Sequence, residues 1–351
     1  MKIKITLLFI FSIFALSGFS QDKGRQYDIR TIAFYNVENL FDTINDPRKF
    51  DDDRTPEGKD KYTSKVYWDK IDKLSKVIAD IGFDDTKTSP ALIGVSEVEN
   101  QQVLEDLVAS EKLKNSYYGI IHYDSPDERG IDVALLYQKR YFKPISQSSY
   151  PLYIYNENGK RDYTRDQLLV SGLLDGELIH VIVNHWPSRS GGEAKSRPKR
   201  MAAAKLNMRI IDSLQAVDPE ARIITMGDLN DDPTSPSIRD VLKAEEKKAA
   251  VKQPTGLYNP MANMHRRGLN TLAYRDGLNL FDQIIFTEPF LDKDYRNYTF
   301  YKAGIFNKSY LISDSGTFKG YPFRSYSYNT YVGGYSDHFP VYIYLIREKN
   351  Q

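Results

Sequence analysis

No cysteine occurs in the 351 residues. That excludes disulfide frameworks, thiolate zinc sites, redox cysteine pairs and cysteine nucleophiles. A surplus of one charge is also missing, since 48 Lys and Arg stand against 47 Asp and Glu. No global basic field announces a nucleic-acid or membrane partner, so any anion-binding surface must be local. With 41% hydrophobic and 27% charged residues the composition is that of a globular protein. From Thr31 to Arg347 there is no low-complexity block, no repeat of solenoid period and no Pro/Ser-rich linker. Residues 21–351 therefore read as a single domain. Walker loops, the dinucleotide G-x-G-x-x-G, the G-x-S-x-G elbow and the zinc pattern H-E-x-x-H are all absent.

The first 20 residues read differently from the rest. Lys2 and Lys4 precede the apolar run from Ile5 to Leu16, and small residues follow at Gly18 and Ser20. A basic start, a short apolar stretch and a small-x-small site describe a secretory signal peptide cut after about Ser20. Cleavage removes two lysines and leaves 46 basic against 47 acidic residues. No later segment is long and apolar enough to span a bilayer. The expectation is an exported protein, periplasmic or extracellular, acting as a monomer without stable membrane insertion.

Short β-rich runs recur at residues 31–35, 91–96, 133–137, 178–183, 223–226, 282–286 and 341–346. Apolar residues at Val66, Ile71, Leu74, Val77, Ile78 and Ile81 place a helix over about 63–81. Val103, Leu104, Leu107 and Leu113 suggest a second helix. Ala202, Leu206, Ile210, Leu214 and Val217 give a third, ending before Pro219. Strands and helices mixed without strict alternation argue for a layered α/β or α+β fold. Residues 42–62 read as a surface loop, and 290–335 as loops and hairpins with Gly333-Gly334 as a turn.

One regularity carries the functional argument: nearly every apolar run ends or begins in a carboxylate, amide or imidazole. Residues 31–35 run into Asn36-Val37-Glu38-Asn39, and 92–96 into Glu97-Val98-Glu99-Asn100. Residues 178–183 lead to Asn184-His185-Trp186-Pro187, and 223–226 to Gly227-Asp228-Leu229-Asn230. Asp282 opens one run, and Ser336-Asp337-His338 precedes the last. Singly, such residues are ordinary turn formers. Together, on strands whose ends share one sheet edge, they gather in a crevice. Of only five histidines, two lie in these clusters. Carboxylates and amides without thiolates suit a hard cation such as Mg²⁺, Mn²⁺ or Ca²⁺. Such a cation with an imidazole base and hydrogen-bond donors is equipment for attacking a phosphoester with water.

These motifs, in this order, resemble the endonuclease/exonuclease/phosphatase superfamily from Thr31 to Arg347. The Gly-Asp-x-Asn at 227–230 and the Ser-Asp-His at 336–338 are the most specific. The resemblance implies a deoxyribonuclease I-like α/β fold: a four-layer sandwich, two packed mixed β-sheets flanked by helices, with the site at one end. It implies that Glu97 is the principal metal carboxylate with Asn36 beside it, and that Glu38 and Asp337 lie at the edge of the metal site. His338 resembles the general base, oriented by Asp282. Asp228 would position the attacking water, Asn230 would bond the developing negative charge, and His185 would hold phosphate. Arg129, Asn184 and Arg189 are candidate phosphate contacts.

The sequence is less specific about the substrate. His185-Trp186-Pro187-Ser188-Arg189 runs on through Lys195, Arg197, Lys199 and Arg200, with Glu193 the single acid. This stretch is similar to segments of secreted nucleases in the superfamily. A basic loop there would contact phosphates, and Trp186 would stack on bases. The expected activity is a metal-dependent phosphodiesterase or nuclease acting on nucleic acid. The alternatives are a phosphatase or phosphodiesterase for phosphorylated lipid, inositol or sugar, and a catalytically inactive binding module. For a lipid enzyme, the aromatic stretch Phe318 to Tyr331 is the candidate docking hairpin.

Overall fold

The computed structural model describes residues 25–274 and 277–349. The expected signal peptide, residues 1–20, lies outside them. In chain order, strand β1 is Tyr27–Leu40, helix α1 Ser64–Asp80, β2 Leu92–Val98 and α2 Gln101–Ala109. There follow β3 Tyr118–His122, β4 Asp132–Gln138, β5 Phe142–Tyr150, β6 Gln167–Leu174 and β7 Glu177–His185. Helix α3 is Glu193–Val217, β8 Ile223–Asp228, and the short β9 and β10 are Ala244–Glu245 and Leu257–Tyr258. The chain closes with β11 Asp282–Thr287, β12 Thr299–Ile305, β13 Tyr326–Ser327, β14 Thr330–Tyr331 and β15 Val341–Glu348.

Two mixed sheets result. The first has the order β12-β15-β1-β2-β4-β3, the second β9-β10-β11-β8-β7-β6-β5. Their inner faces interdigitate: Ile32, Phe34, Leu135 and Ile343 of the first pack with Val181, Val183, Met226 and Ile284 of the second. At Gly94 in β2 a Cβ would lie 2.9 Å from the Met226 sulfur and 3.1 Å from Val183, so only glycine lets the sheets approach there. Helices α1 and α2 cover the outer face of the first sheet, and α3 covers the second. This is the four-layer α/β sandwich that the sequence motifs imply.

Helix α1 buries Tyr67, Ile71, Leu74, Val77 and Ile78 at helical spacing, as expected. Helix α2 is capped by the Asn100 side chain, which accepts from the Val103 N–H. Helix α3 starts at Glu193, nine residues before the apolar repeat begins, with Pro198 in its second turn. The stretch Lys195–Arg200, expected as a basic loop, is therefore helix. The hairpin of β13 and β14 turns at Tyr328 and Asn329, not at Gly333-Gly334 as expected. Among the described residues no helix is long and apolar enough to cross a membrane.

Sheet register places the polar strand ends. Strands β7 and β8 are parallel with His185 opposite Asp228, and β8 and β11 antiparallel with Asp228 opposite Asp282. Three candidate residues thus stand side by side across three neighbouring strands. In the first sheet β1 and β2 run parallel with Asn36 opposite Ser96, and the register shifts just beyond, where Glu97 sits.

Candidate active site

The Asp228 carboxylate is the centre of the arrangement. Its Oδ2 accepts from Asn36 Nδ2 at 3.1 Å, and lies 3.6 Å from His185 Nε2 and 3.8 Å from His338 Nε2. Its Oδ1 accepts from the Asn230 N–H at 3.0 Å. His338 Nδ1 meets Asp282 Oδ2 at 2.7 Å, and the Ser336 hydroxyl links the base to β1. That hydroxyl accepts from the His338 N–H and donates to the Asn36 carbonyl. Glu97 reaches the same centre from the first sheet, its Oε1 3.8 Å from His185 Nε2.

Backbone strain collects at this end. Glu38, Asn39, Glu97 and Asn230 all adopt left-handed conformations, with φ of 50°, 56°, 63° and 50°. Non-glycine residues there cost free energy, and such positions cluster at functional sites. In the Gly-Asp-x-Asn motif the glycine has a steric cause: a Cβ on Gly227 would stand 2.2 Å from the Asn184 carbonyl oxygen.

Burial and charge set the protonation states. Burial would lower the His338 pKa, but Asp282 and Asp228 together outweigh it and raise it well above the ordinary histidine value. Burial raises Asp228 to about 6, against the opposing pull of His338. His185 moves the other way, well below the ordinary value, because it is buried and faces the Arg165 and Arg129 guanidiniums. One imidazole holds a proton strongly and the other stays neutral. Environments that drive two like groups apart are the usual mark of divided acid–base roles.

A hard cation fits this donor set. Among the described residues, Glu97, Asp228 and Asp282 pair only with histidines, and no Lys or Arg forms an ion pair with them. Asp282 Oδ1 is buried without a hydrogen-bond partner, and Asp228, Asp282 and His338 bring ligand atoms within 4.8 Å of one another. Buried carboxylates without a counter-cation are what a divalent ion bound by oxygen ligands relieves. Asn36 Oδ1 accepts from the Glu38 N–H, which leaves this oxygen a second lone pair.

Other expected residues have protein partners of their own. Both Glu38 oxygens accept backbone N–H groups, from Ser325 at 2.6 Å and Tyr326 at 3.3 Å, so this carboxylate anchors a loop. Asp337 accepts from Arg324 at 2.9 Å. Asn184 is wholly buried on the α3 side, bonded to Thr225, Met226, Trp186 and Asn207, because neighbouring strand residues face opposite ways. Its amide nitrogen and oxygen are both engaged by these partners. Trp186 is 1% exposed in the core beneath α3 and presents no stacking face.

Arg189 donates to the Asn230 carbonyl, Asp231 and Asp232 and stacks on Phe281, so it braces the 230–232 turn. Arg200, wholly buried, meets Asp231 at 2.7 Å. Lys199 pairs with Asp162, Arg197 with Glu193 and Lys195 with Glu157. The whole basic stretch is answered by acids. Arg129 differs: its side chain is 47% exposed and only loosely paired with Asp127, at 3.8 Å.

Two positioning residues escape a reading of the sequence. Arg165 is buried and donates to the His185 carbonyl, the Trp186 carbonyl and Asp127, which fixes the chain after β7. It precedes β6, and a polar residue at the start of an apolar run is its signal in the sequence. Lys70 is wholly buried on the apolar face of α1 and donates to the carbonyls of Val37 and Glu38 and to the Ser325 hydroxyl. A lysine in step with Leu74 and Ile78 was its signal.

Residues 31–347 match the model of the Endonuclease/Exonuclease/phosphatase family. No curated protein sequence matches. Among solved structures, D. rerio TDP2 complexed with single strand DNA product superposes with TM-score 0.53 at 13% identity, covering 90% of this chain and 98% of that one. An endonuclease/exonuclease/phosphatase family protein from Bacteroides thetaiotaomicron gives 0.54 at 16%, covering 92% and 100%. The mannosyl-6-phosphatase Bt3783 of Bacteroides thetaiotaomicron gives 0.53 at 16%, covering 90% and 99%. At such identities the likeness is one of fold.

Proposed function

We propose a location, a mechanism and a substrate for a chain that belongs to the endonuclease/exonuclease/phosphatase family and hydrolyses phosphoester bonds. The protein is exported by its first 20 residues, and residues 21–351 act in the periplasm or outside the cell. Support for this is the basic, apolar and small-residue order of residues 1–20.

In the mechanism, His338 Nε2 removes a proton from the attacking water, while Asp282 holds the opposite nitrogen and fixes the ring. Asp228, within reach of that nitrogen, orients the water. The water oxygen bonds to phosphorus, the bond from phosphorus to the leaving oxygen breaks, and that oxygen takes a proton from solvent. Arg129 contacts the phosphate, and neutral His185 donates a hydrogen bond to it. Glu97 and Asn36 would hold a divalent ion, proposed as Mg²⁺, with Asp228 beside it. Such an ion would supply a Lewis acid for a phosphoryl oxygen, and its charge, offsetting the carboxylates, would favour the neutral imidazole of His338. The observation that carries the mechanism is the 2.7 Å contact of His338 with Asp282 beside the Asp228 carboxylate.

The substrate is a compact phosphorylated molecule. The expectation of nucleic acid rested on the cations of residues 189–200, and their pairing with carboxylates leaves little to follow an extended phosphate backbone. The likeness to a mannosyl-6-phosphatase supports a small substrate. A single-stranded nucleic-acid end is the second reading, favoured by the 90% exposed ring of Tyr328 and by the likeness to TDP2 bound to single strand DNA. The test offers purified protein with Mg²⁺ plasmid DNA, RNA, sphingomyelin, inositol phosphates and hexose phosphates. Turnover of a small phosphoester with DNA and RNA uncut supports the first reading. Cutting of DNA or RNA alone replaces it with the second.

A further inference from the structure

A cavity of about 690 Å³ opens beside the catalytic residues, between the end of β1 and the loops around β13 and β14. Asp337, which lines it, is the chain neighbour of the base His338. The size is that of an ordinary small-ligand site. Its walls combine ring faces from Phe318, Tyr321 and Tyr328 with charged groups from Arg54, Arg324 and Asp337.

We propose that this cavity is the subsite for the non-phosphate part of the substrate and that it takes a hydroxyl-rich ring, a phosphorylated sugar. The inference rests on the small-substrate reading above and deepens it. A hydroxyl both donates and accepts, whereas a guanidinium only donates and an ionised carboxylate only accepts. A wall holding both kinds satisfies neighbouring hydroxyls of a sugar. Arg324 spends one amine on Asp337 and keeps further N–H groups for a ligand. The aromatic faces cover the C–H faces of the ring. Phe318 and Tyr321, with centroids 6.2 Å apart, are inclined at 44°. Phe318 and Tyr321 are not parallel and so do not sandwich a flat base, and a puckered ring suits the angle.

The wall is also held in place relative to the reacting atoms. Lys70 joins the Ser325 hydroxyl to the carbonyls of residues 37 and 38, and Glu38 accepts from the N–H groups of Ser325 and Tyr326. A buried ammonium and two left-handed residues are costly. They stand where the cavity wall meets the strand that carries Asn36. The pocket and the metal carboxylates therefore keep one spacing.

The test compares wild type with Phe318→Ala and Tyr328→Ala on three substrates with Mg²⁺: a hexose 6-phosphate, a nucleoside 5′-monophosphate and methyl phosphate. Tyr328 is exposed, so its variant folds whatever the role of the ring. Wild type should prefer the hexose phosphate, and each variant should raise its KM about tenfold while changing methyl phosphate, which has no ring to place in the cavity, less than twofold. Calorimetric titration with the hexose phosphate should show the same loss of affinity whether or not it is turned over. Equal effects on all three esters, or preference for the nucleotide, overturn the sugar subsite. Hydrolysis of methyl phosphate with no hexose phosphate bound overturns it and leaves the hydrolase intact. Failure of every small ester while DNA is cut defeats the small-substrate reading itself; retained titration of the hexose phosphate would then still locate the subsite.

Discussion

Asp282→Asn isolates the role of one negative charge. The Asp282 carboxylate lies 2.7 Å from His338 Nδ1, and its other oxygen is buried without a partner. Asparagine can turn its carbonyl to the same nitrogen, so the shape and the tautomer survive and the charge is lost. For charge centres about 4 Å apart at an effective dielectric near 20, the charge is worth about 4 kcal/mol. That corresponds to a fall of roughly three pKa units for the imidazole. A base so weakened, and less firmly held, should lower kcat by roughly 10² to 10⁴. The acidic limb of the rate profile should move to lower pH, because neutral imidazole then persists further into acid. The fold should survive because asparagine keeps the hydrogen bond to the ring, but stability should fall, since the buried imidazole loses its carboxylate partner. The assay is kcat on a chromogenic phosphoester with saturating Mg²⁺ from pH 6 to 9, beside thermal melts of both proteins. A variant with the wild-type rate across that range would refute the pairing as the source of the base.

Three further outcomes are expected. Glu97→Gln keeps an acceptor for the Asn39 N–H, now at 3.1 Å, but loses the anionic ligand, so calorimetric Mg²⁺ affinity should fall at least about tenfold and turnover with it. Burial, opposed by the Asp42 N–H and reinforced by Asp42, Asp51 and Asp46, raises the Glu99 carboxyl from 4.5 to about 8. Its folded pKa exceeds the unfolded one, so its stabilising contribution is full below about pH 4.5 and is lost as pH rises through 8. Glu99→Gln should therefore gain about 4 kcal/mol relative to wild type between pH 5 and pH 9, read from urea unfolding, and a parallel pair of curves would contradict this. Asp231→Ala strands the wholly buried Arg200 and should cost about 3–5 kcal/mol in the same assay; a loss below about 1 kcal/mol would show that the pair is not holding the turn.

The catalytic groups were legible because one residue type recurs at one kind of place. Asn36, Glu97, His185, Asp228 and His338 each close or precede an apolar run, and the sheets bring those ends together. Which face a strand-end residue takes was less legible. Asn184 and His185 are adjacent, yet one packs under α3 and the other enters the site. Helix α3 hid its first two turns because Glu193–Met201 contains no apolar repeat and includes Pro198. Its cations read as free only because Asp162, Glu157 and Asp231 are remote or unremarkable in sequence. Strand β5 carries little strand signal because its middle, Ser146 to Ser148, is polar and exposed at a sheet edge.

The shared register of β7, β8 and β11 has a consequence for engineering. His185, Asp228 and Asp282 are spaced by the separation of neighbouring strands, a backbone property of about 4.8 Å per step that side-chain changes elsewhere do not alter. Loops leaving these strands can be exchanged, lengthened or randomised to recruit other substrates while the reacting groups keep their distances. A one-residue deletion inside any of the three strands has the opposite effect. It turns the terminal side chain to the other face of the sheet, and the chemistry is lost in a protein that still has every residue needed for it.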